Sequence, residues 1–527
     1  MLRRSSIRVL PVIALSLVAL GEVRCVGDEP NVVPVGAQGG DAGTGEADGS
    51  VPGDDAATGD DAAVDADAAV VVTQHAGAPL HFPKSATASN GPHVAIDGAG
   101  NTFLAFTFDR PTTILGVTLA ASGGQSDIAV LKISPAGVVL WNRVFGGSAS
   151  DSVDALAVDA GSNVYIAGTF ASDTLSFGGG ASVTYAMQPG RGAPYIARLK
   201  ASDGEGIAAS TISGTSGGSG AHLALADNGL VLAYRALGSI TVDISPSGTE
   251  TIPAVLDSSN AVVASLDPST LRAKWVNRIG ASSAQNSVRG VALATNGDVF
   301  AALRIAARPL KDSKGSADLT DDTRRDVIVR LSASTGARMG AAEMPETAAG
   351  QLRVGRLASR GGGAGVAFTA TLTGSFTTIG GKTYTSAGGT DIVVGELSVT
   401  ADITSLIRYG GANDDAPVAI TRRDSRTYVV ATYGPGPIDL EGVSLPAGPD
   451  GIGATVAFEA SMTGKNTGWV RAIRGENLEP TAVEVNPLAN AVLHAGIFQG
   501  TAILGDGVEA QSVDPNVYNG FLVPWKK

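Results

Sequence analysis

One short phrase of sequence recurs seven times along this chain, at intervals of about 65 residues. Each copy has an apolar run, a turn of Gly, Asn or Asp, and a second apolar run that ends on alanine. The closing alanines are Ala105, Ala167, Ala233, Ala302, Ala370, Ala431 and Ala495. A fixed period of this length indicates one supersecondary unit copied and arranged side by side, because a single unit cannot bury its own apolar face.

The composition favours strands over helices. Gly accounts for 70 of the 527 residues, and the apolar residues are mostly Val, Ile, Leu and Ala in short runs broken by turn residues. Outside the first 25 residues, no stretch of about 12 residues keeps the 3.6-residue apolar spacing of a helix. The sequence therefore predicts an all-β protein with few helices.

The copy that starts at Asp127 contains four runs of strand length. Further copies open near Tyr195, Ala261, Asp326, Asp391, Ala454 and Phe521. The earliest copy, residues 94–117, lacks its opening strand, and the chain ends just after Phe521. We therefore expect residues 521–525 to complete that first blade, which would close a ring of seven and leave no free sheet edge.

A more detailed pattern lies within residues 127–168. It consists of Asp127, Trp141, Phe145-Gly146-Gly147, Asp159, Asn163 and Tyr165-Ile166-Ala167-Gly168. In this pattern the chain resembles bacterial exported proteins built from seven-bladed β-propeller repeats, and the resemblance covers roughly residues 80–527. It implies a seven-bladed propeller of four-stranded blades, closed by the C-terminal strand in the first blade. It concerns the fold alone, because propellers carry many unrelated functions.

Residues 1–25 have the pattern of an export signal. A basic start is followed by an apolar run over residues 9–20, which suits a signal peptide and is too short to span a bilayer. The only cysteine, Cys25, follows this run and cannot form an internal disulfide. Its position resembles the lipid-attachment cysteine of bacterial lipoproteins, although Arg24 and Glu22 depart from the usual small and aliphatic residues. An ordinary secretory signal cut elsewhere is the alternative.

Residues 26–72 are predicted to form a disordered acidic tether. They carry eleven acidic residues, no Lys or Arg, and almost no large side chains, so they cannot bury enough apolar surface to fold. Residues 73–527, the expected propeller, carry a net charge of −5 out of the total of −13. Without a basic cluster, nucleic-acid binding is not expected.

Few residues suggest catalysis. The segment Gly214-Thr215-Ser216-Gly217-Gly218 matches the G-x-S-x-G pattern of a nucleophile elbow, but no helix pattern follows it as that motif requires. The histidines have no partner at metal-ligand spacing, so no metal or other cofactor is predicted; they are His75, His81, His93, His222 and His494. His75 and His81 are expected in loops and His494 packed in a strand.

Other recurrent side chains have structural interpretations. Asp127, Asp326 and Asp391 would line a common face if they bound cations, but a turn-forming Asp before a strand needs no ligand. Trp141, Trp275 and Trp469 fall in register and favour packing between neighbouring blades. The charged connection over residues 308–325 is expected to be a solvated loop.

The sequence thus predicts a monomeric ring in the cell envelope, attached to the membrane through Cys25, or else secreted. Its expected function is that of a surface binding or scaffold module of unknown ligand, with a protein or envelope partner possible. The alternative is a propeller hydrolase or lyase that uses carboxylates, with or without a metal, in the central funnel. Convergent charged side chains in one pocket would favour the enzyme, and a funnel of Gly and small apolar residues would favour the scaffold.

Overall fold

The structure is a computed structural model, and all 41 elements of its described residues are β-strands. The residues it describes are 79–85, 91–184, 192–214, 217–227, 229–246, 248–253, 259–281, 286–305, 309–320, 326–359, 365–377, 381–423, 425–440, 442–446, 454–461, 469–504, 508–512, 514 and 517–527. The expectation of an all-β chain is confirmed over these ranges.

The first twenty strands lie before residue 281. They are β1 (Leu80–Ser85), β2 (His93–Ile96), β3 (Thr102–Phe108), β4 (Thr112–Ile114), β5 (Val117–Leu119), β6 (Asp127–Ile133), β7 (Val139–Phe145), β8 (Asp151–Val158), β9 (Val164–Phe170), β10 (Thr174–Ser176), β11 (Ser182–Thr184), β12 (Ala193–Leu199), β13 (Gly206–Thr211), β14 (Ser213–Gly214), β15 (Gly218–Ala226), β16 (Gly229–Ala236), β17 (Ile240–Asp243), β18 (Thr249–Ile252), β19 (Asn260–Leu266) and β20 (Ala273–Gly280).

The remaining strands continue to the end of the chain. They are β21 (Ser287–Leu293), β22 (Val299–Arg304), β23 (Lys311–Asp312), β24 (Asp326–Leu331), β25 (Arg338–Glu343), β26 (Glu346–Thr347), β27 (Gly350–Ser359), β28 (Val366–Thr377), β29 (Thr383–Leu397), β30 (Ile403–Gly411), β31 (Asp415–Arg423), β32 (Arg426–Tyr433), β33 (Ile438–Asp439), β34 (Ser444–Leu445), β35 (Ala454–Ala460), β36 (Val470–Gly475), β37 (Glu479–Asn486), β38 (Ala491–Phe498), β39 (Thr501–Leu504), β40 (Val508–Gln511) and β41 (Tyr518–Lys526).

Within the described residues, one antiparallel four-strand pattern recurs along the chain. Its instances are sheet 1 (β2-β3-β6-β7), sheet 2 (β8-β9-β12-β13), sheet 3 (β15-β16-β19-β20), sheet 4 (β21-β22-β24-β25), sheet 5 (β27-β28-β29-β30), sheet 6 (β31-β32-β35-β36) and sheet 7 (β37-β38-β41-β1). Sheets of four consecutive strands that repeat in this way are the units of a β-propeller. Below, first strand means the first member of each of these orders.

The strand order differs from the expected frame in two respects. The residues expected to open each blade, such as Asp127 and Asp326, begin third strands instead. The C-terminal strand β41 does not join the strands around Val94, as expected. It pairs with β38 on one side and with β1 on the other, where Leu80 lies opposite Leu522. The expected blade partner was therefore wrong, because β1 was not recognised as a strand from its short sequence.

Short insertions tie neighbouring sheets together. They lie between the second and third strands of a sheet, as in the hairpins β33–β34 and β39–β40. Three inserted strands pair with the fourth strand of the preceding sheet: β23 with β20, β33 with β30, and β39 with β36. Main-chain hydrogen bonds therefore supplement side-chain packing between sheets.

The apolar core is divided among seven clusters, and each cluster joins two sheets. One of them joins sheet 7 to sheet 1, and it includes Phe82 of β1 and Phe106 of β3. Their ring centroids are 4.5 Å apart, and both side chains are fully buried. The two ends of the described chain therefore meet in one packed layer.

Replacing Phe82 should weaken this layer. Phe82→Ala removes a buried ring against Phe106 and should lower the free energy of unfolding by about 3–5 kcal/mol. Denaturant unfolding measures the effect, with His81→Ala as the control, because His81 is half-buried in the same strand. Equal, small effects of the two substitutions would show that β1 does not pack on sheet 1.

Candidate functional site

The first strands of successive sheets contact one another. The contacting pairs are β2–β8, β8–β15, β15–β21, β21–β27, β27–β31, β31–β37 and β37–β2. Together these strands surround a cavity of about 190 Å³, here called the first-strand cavity. Its lining takes residues from all seven first strands: His93, Val94, Asp154, Ala155, Leu156, His222, Leu223, Gly290, Val291, Arg356, Leu357, Ala419, Ile420, Thr481, Ala482 and Val483.

A β-bulge recurs at one level of this cavity. In sheets 2 to 7 the first strand carries one residue more than its partner, and the interruptions fall at Val153/Ala155, Ser219/His222, Val288/Gly290, Val354/Leu357, Pro417/Ala419 and Pro480/Ala482. A bulge twists the strand locally and redirects the side chains beside it. Six repeats therefore turn side chains at the same level of the cavity.

The recurring alanines mark this level. In the second strands of sheets 2 to 7, each alanine lies opposite a residue that flanks the bulge; Ala167, for example, pairs with Ala155, and Ala233 pairs with His222. In sheet 1, Ala105 pairs with His93. All seven alanines are fully buried. The period seen in the sequence is thus the period of the cavity wall.

Arg356 and His222 form a hydrogen-bonded pair at the wall. Arg356 Nη1 lies 2.8 Å from His222 Nδ1 and donates to the carbonyl oxygen of Arg289 at 3.0 Å. His222 Nε2 lies 3.3 Å from the carbonyl oxygen of Val288. Because a guanidinium only donates, Nδ1 accepts and Nε2 carries the proton. The pair therefore connects three first strands, β15, β21 and β27.

Burial keeps this histidine uncharged. Desolvation, and then the guanidinium of Arg356, lower the pKa of His222 to about 3. Arg356 itself is exposed by surface area, but the strands around it desolvate the guanidinium enough to lower its pKa, and Arg289 lowers it further. At neutral pH the pair therefore carries one positive charge.

Asp154 lies on the same wall, in the bulge of β8. Its Oδ2 accepts hydrogen bonds from the Ala221 amide at 3.1 Å and from Thr169 Oγ1 at 3.4 Å. Burial raises the pKa of Asp154, and these hydrogen bonds and Arg356 partly oppose the shift. The cavity thus places one carboxylic acid within electrostatic range of one guanidinium.

Thr481 occupies the bulge of β37 and connects sheet 7 to sheet 1. Its hydroxyl donates to the carbonyl oxygen of Pro92 at 2.7 Å. Farther along the same strand, Asn486 Nδ2 donates to the carbonyl oxygen of Gly100 at 3.1 Å. These two bonds link residues near opposite ends of the described chain.

The structure places the predicted histidines in three environments. His93 and His222 line the cavity, a convergence that their separation in sequence concealed. His494 is fully buried in β38 beside Thr455 Oγ1, at 3.3 Å, and burial lowers its pKa to about 3, which confirms the packed position. His81 lies in β1 and not in a loop, and His75 lies outside the described residues.

The predicted aspartates do not line an open face. Asp127, Asp326 and Asp391 are buried, and each accepts a hydrogen bond from a backbone amide. Gly146 and Gly410 leave the space that two of these carboxylates fill, since a Cβ there would meet Asp127 or Asp391 within 2.3 Å. Within the described residues, no group of three His, Cys, Asp or Glu side chains is arranged to hold a metal.

The tryptophans pack between sheets, as expected. Each indole Nε1 donates to a carbonyl oxygen of the next sheet: Trp141 to Ala201 at 3.1 Å, Trp275 to Ala333 at 2.9 Å, and Trp469 to Lys526 at 3.0 Å. The turn glycines Gly204 and Gly336 admit two of the rings. These aromatic side chains are therefore structural.

The remaining predicted features are only partly described. Thr215 and Ser216 of the G-x-S-x-G segment lie outside the described residues, as do Cys25, the signal over 1–25 and the tether over 26–72. In the charged connection, Asp312 is buried beside Arg338, with 3.9 Å between Oδ2 and Nε, so this part is not a solvated loop. Over the described ranges, no helix is long and apolar enough to cross a membrane.

Comparisons with known proteins give a fold-level likeness only. No protein-family model matches the chain, and no curated protein matches it. Solved structures similar to it include a quinohemoprotein alcohol dehydrogenase from Pseudomonas putida (9% identity, 85% of this chain and 71% of that chain, TM-score 0.33), Drosophila Plexin A in complex with Semaphorin 1b (7%, 86% and 88%, 0.36) and hydrazine synthase from Kuenenia stuttgartiensis (13%, 74% and 97%, 0.33). β-Propeller proteins are among these neighbours. TM-scores below 0.5 carry no argument about function.

The buried aspartates make stability depend on pH. Burial raises the pKa of Asp151 to about 6, although Ser172 and Ala171 donate hydrogen bonds to it. Because the folded state holds this proton more tightly than the unfolded chain, the contribution is greatest below about pH 4 and is lost as the pH rises through about 6.

Asp151→Asn should remove that contribution. Between pH 5 and 7 the variant should show a weaker fall in free energy of unfolding than the unsubstituted protein, measured by denaturant unfolding at each pH. Asp109→Asn is the control, because Asp109 is half-buried and at the surface end of β3. Identical pH profiles of the unsubstituted protein and Asp151→Asn would contradict the assignment.

Proposed function

We propose that the chain forms a closed seven-bladed propeller that is exported, anchored through Cys25, and binds a small ligand in the first-strand cavity. Three contacts support closure at the joint between sheets 7 and 1: the apolar cluster around Phe82 and Phe106, the bond from Thr481 to Pro92, and the bond from Asn486 to Gly100. The contact of β37 with β2 completes a cyclic series of first strands.

The proposed location rests on the amino terminus. The apolar run over residues 9–20, the sole cysteine just after it and the acidic segment over 26–72 together suit an export signal, an anchor and a spacer. The protein would then stand at the cell envelope with its cavity held away from the membrane. A protein or envelope partner would reach it there.

The observation that carries the binding function is the convergence of Asp154, His222 and Arg356 on one cavity lined by all seven first strands. Polar groups gathered in an otherwise apolar concavity are typical of small-molecule sites. The volume of about 190 Å³ is below the roughly 300–1,000 Å³ of pockets for drug-sized molecules. The ligand is therefore small.

A propeller hydrolase or lyase is the second candidate, and the raised pKa of Asp154 favours it. Two observations argue for binding instead. Both ring nitrogens of His222 are within hydrogen-bonding distance of protein groups, so the ring is not available as a base. Among the described lining residues there is no Ser, Cys, Lys or Tyr to act as a nucleophile.

Filling the cavity should abolish binding without unfolding the protein. Ala155 lines the cavity opposite Ala167, so Ala155→Leu should remove the thermal stabilisation that a bound small molecule gives the unsubstituted protein. The measurement is a thermal-shift screen of small organic acids, amines, alcohols and sugars. Ala226→Leu, at an exposed alanine of β15, is the control and should keep every response. If no compound stabilises the protein in a manner sensitive to Ala155→Leu, the binding function is refuted.

Cys25→Ser tests the anchor. The substitution removes the thiol that would carry the lipid, so the protein should move from the membrane pellet to the soluble fraction, and the unsubstituted protein should carry a diacylglycerol adduct on Cys25 by mass spectrometry. Recovery of Cys25 unmodified, or of a mature chain that begins after it, would eliminate the anchor and leave the secretory alternative.

A further inference from the structure

Arg356 uses one of its terminal nitrogens to hold the wall together. Nη1 makes all the hydrogen bonds of this guanidinium within the described part of the chain, to His222 Nδ1 and to the carbonyl oxygen of Arg289. The Nε and Nη2 groups make none to the described residues. These two N–H groups form one edge of the guanidinium, with two nearly parallel donors at the spacing of a carboxylate.

The protein contacts of Nη1 hold this edge in place. His222 is fixed by its own contact with Val288, and the carbonyl oxygen of Arg289 belongs to the bulged part of β21. A guanidinium fixed on one side loses little further side-chain freedom when a ligand binds the other side. The arrangement is therefore organised in advance for a planar oxyanion.

The charges around the cavity also favour an anion. Arg289 lies close enough to lower the pKa of both Arg356 and His222, so it adds a second positive charge beside the first. Asp154 is the carboxylate of the wall and opposes an anion when ionised. His222 remains uncharged and contributes no repulsion to either form.

The rest of the wall is largely apolar. Leu156, Leu223, Val291, Leu357 and Ile420 contribute to it. An apolar wall gains nothing from a bare inorganic anion such as phosphate, whereas it favours a ligand that joins an anionic group to a hydrocarbon portion. The small volume limits that portion to a few carbons.

On the basis of the proposed binding function, we propose that the Nε/Nη2 edge of Arg356 is a carboxylate subsite and that the cavity takes short-chain aliphatic monocarboxylates. The carboxylate accepts two hydrogen bonds from Arg356, and the alkyl chain lies against the apolar side chains of the neighbouring first strands.

A homologous series tests this assignment by isothermal titration at constant ionic strength. Acetate, propionate and butyrate should bind with affinities that increase about three- to fourfold for each added methylene, the factor that burial of one CH₂ supplies. Butylamine and butanol, which have the same chain without the carboxylate, should show no saturable binding. A flat series from acetate to butyrate, or equal binding of butanol, would overturn the subsite.

Substitutions separate the charge from the fold. Arg356→Lys retains the positive charge but loses the paired donors, and should weaken butyrate binding at least tenfold. Asp154→Asn removes the opposing charge and should strengthen binding several-fold, an outcome that structural damage would not produce. Arg426→Gln is the control, because Arg426 is exposed far along the sequence and pairs with Glu459; it should leave binding unchanged. The thermal midpoint of each variant shows whether it is folded.

Two failures are distinguishable. If the carboxylates do not bind but another compound stabilises the protein in a manner sensitive to Ala155→Leu, the carboxylate subsite is wrong and the binding function stands. If butyrate binds equally to the unsubstituted protein, to Arg356→Lys and to Ala155→Leu, its site lies elsewhere and the subsite is refuted. If no compound of either kind binds in the cavity, both proposals fail.

Discussion

The packing of sheet 7 against sheet 1 is the constraint on which the rest of the structure depends. Every other sheet is joined to its neighbours by chain continuity, whereas this pair is joined by side chains and hydrogen bonds between residues far apart in sequence. Sheet 7 also takes one strand, β1, from the beginning of the described chain. The apolar cluster around Phe82 therefore stabilises the strand order and the position of β37 beside β2 together.

The cavity follows from that arrangement and from the bulges. A first strand is an edge strand of its sheet, with one side free of main-chain pairing. A bulge interrupts the regular edge and turns local side chains, so six bulges at one level collect residues that are more than 60 positions apart. Arg356, His222 and the carbonyl oxygen of Arg289 exchange hydrogen bonds there, which offsets part of the cost of burying a charge.

Sequence reasoning reached the features that depend on periodicity. The recurrent alanines predicted a repeated strand unit, and they mark the cavity wall because only a small side chain repeats at that buried level. Trp141, Trp275 and Trp469 were predicted to pack between units because they fall in register, and they do. The glycine pair after Phe145 was part of a family resemblance, and the structure supplies its reason: Gly146 leaves space for the carboxylate of Asp127.

The features that sequence reasoning missed depend on pairing across long distances. Nothing local distinguishes Leu80–Ser85 as the outer strand of the last sheet, because its partner is more than 400 residues away. The cluster of Asp154, His222 and Arg356 is hidden for a related reason. These residues occupy bulges, which have no side-chain signature, and they differ from repeat to repeat where the apolar framework does not.

A high-resolution crystal structure of residues 73–527 is the most direct test of the account. The account predicts seven four-stranded sheets in cyclic order, with β41 between β38 and β1, and with Thr481 hydrogen-bonded to Pro92 across the joint between sheets 7 and 1. A gap at that joint, another number of sheets, or a cavity wall without Asp154, His222 and Arg356 together would contradict it.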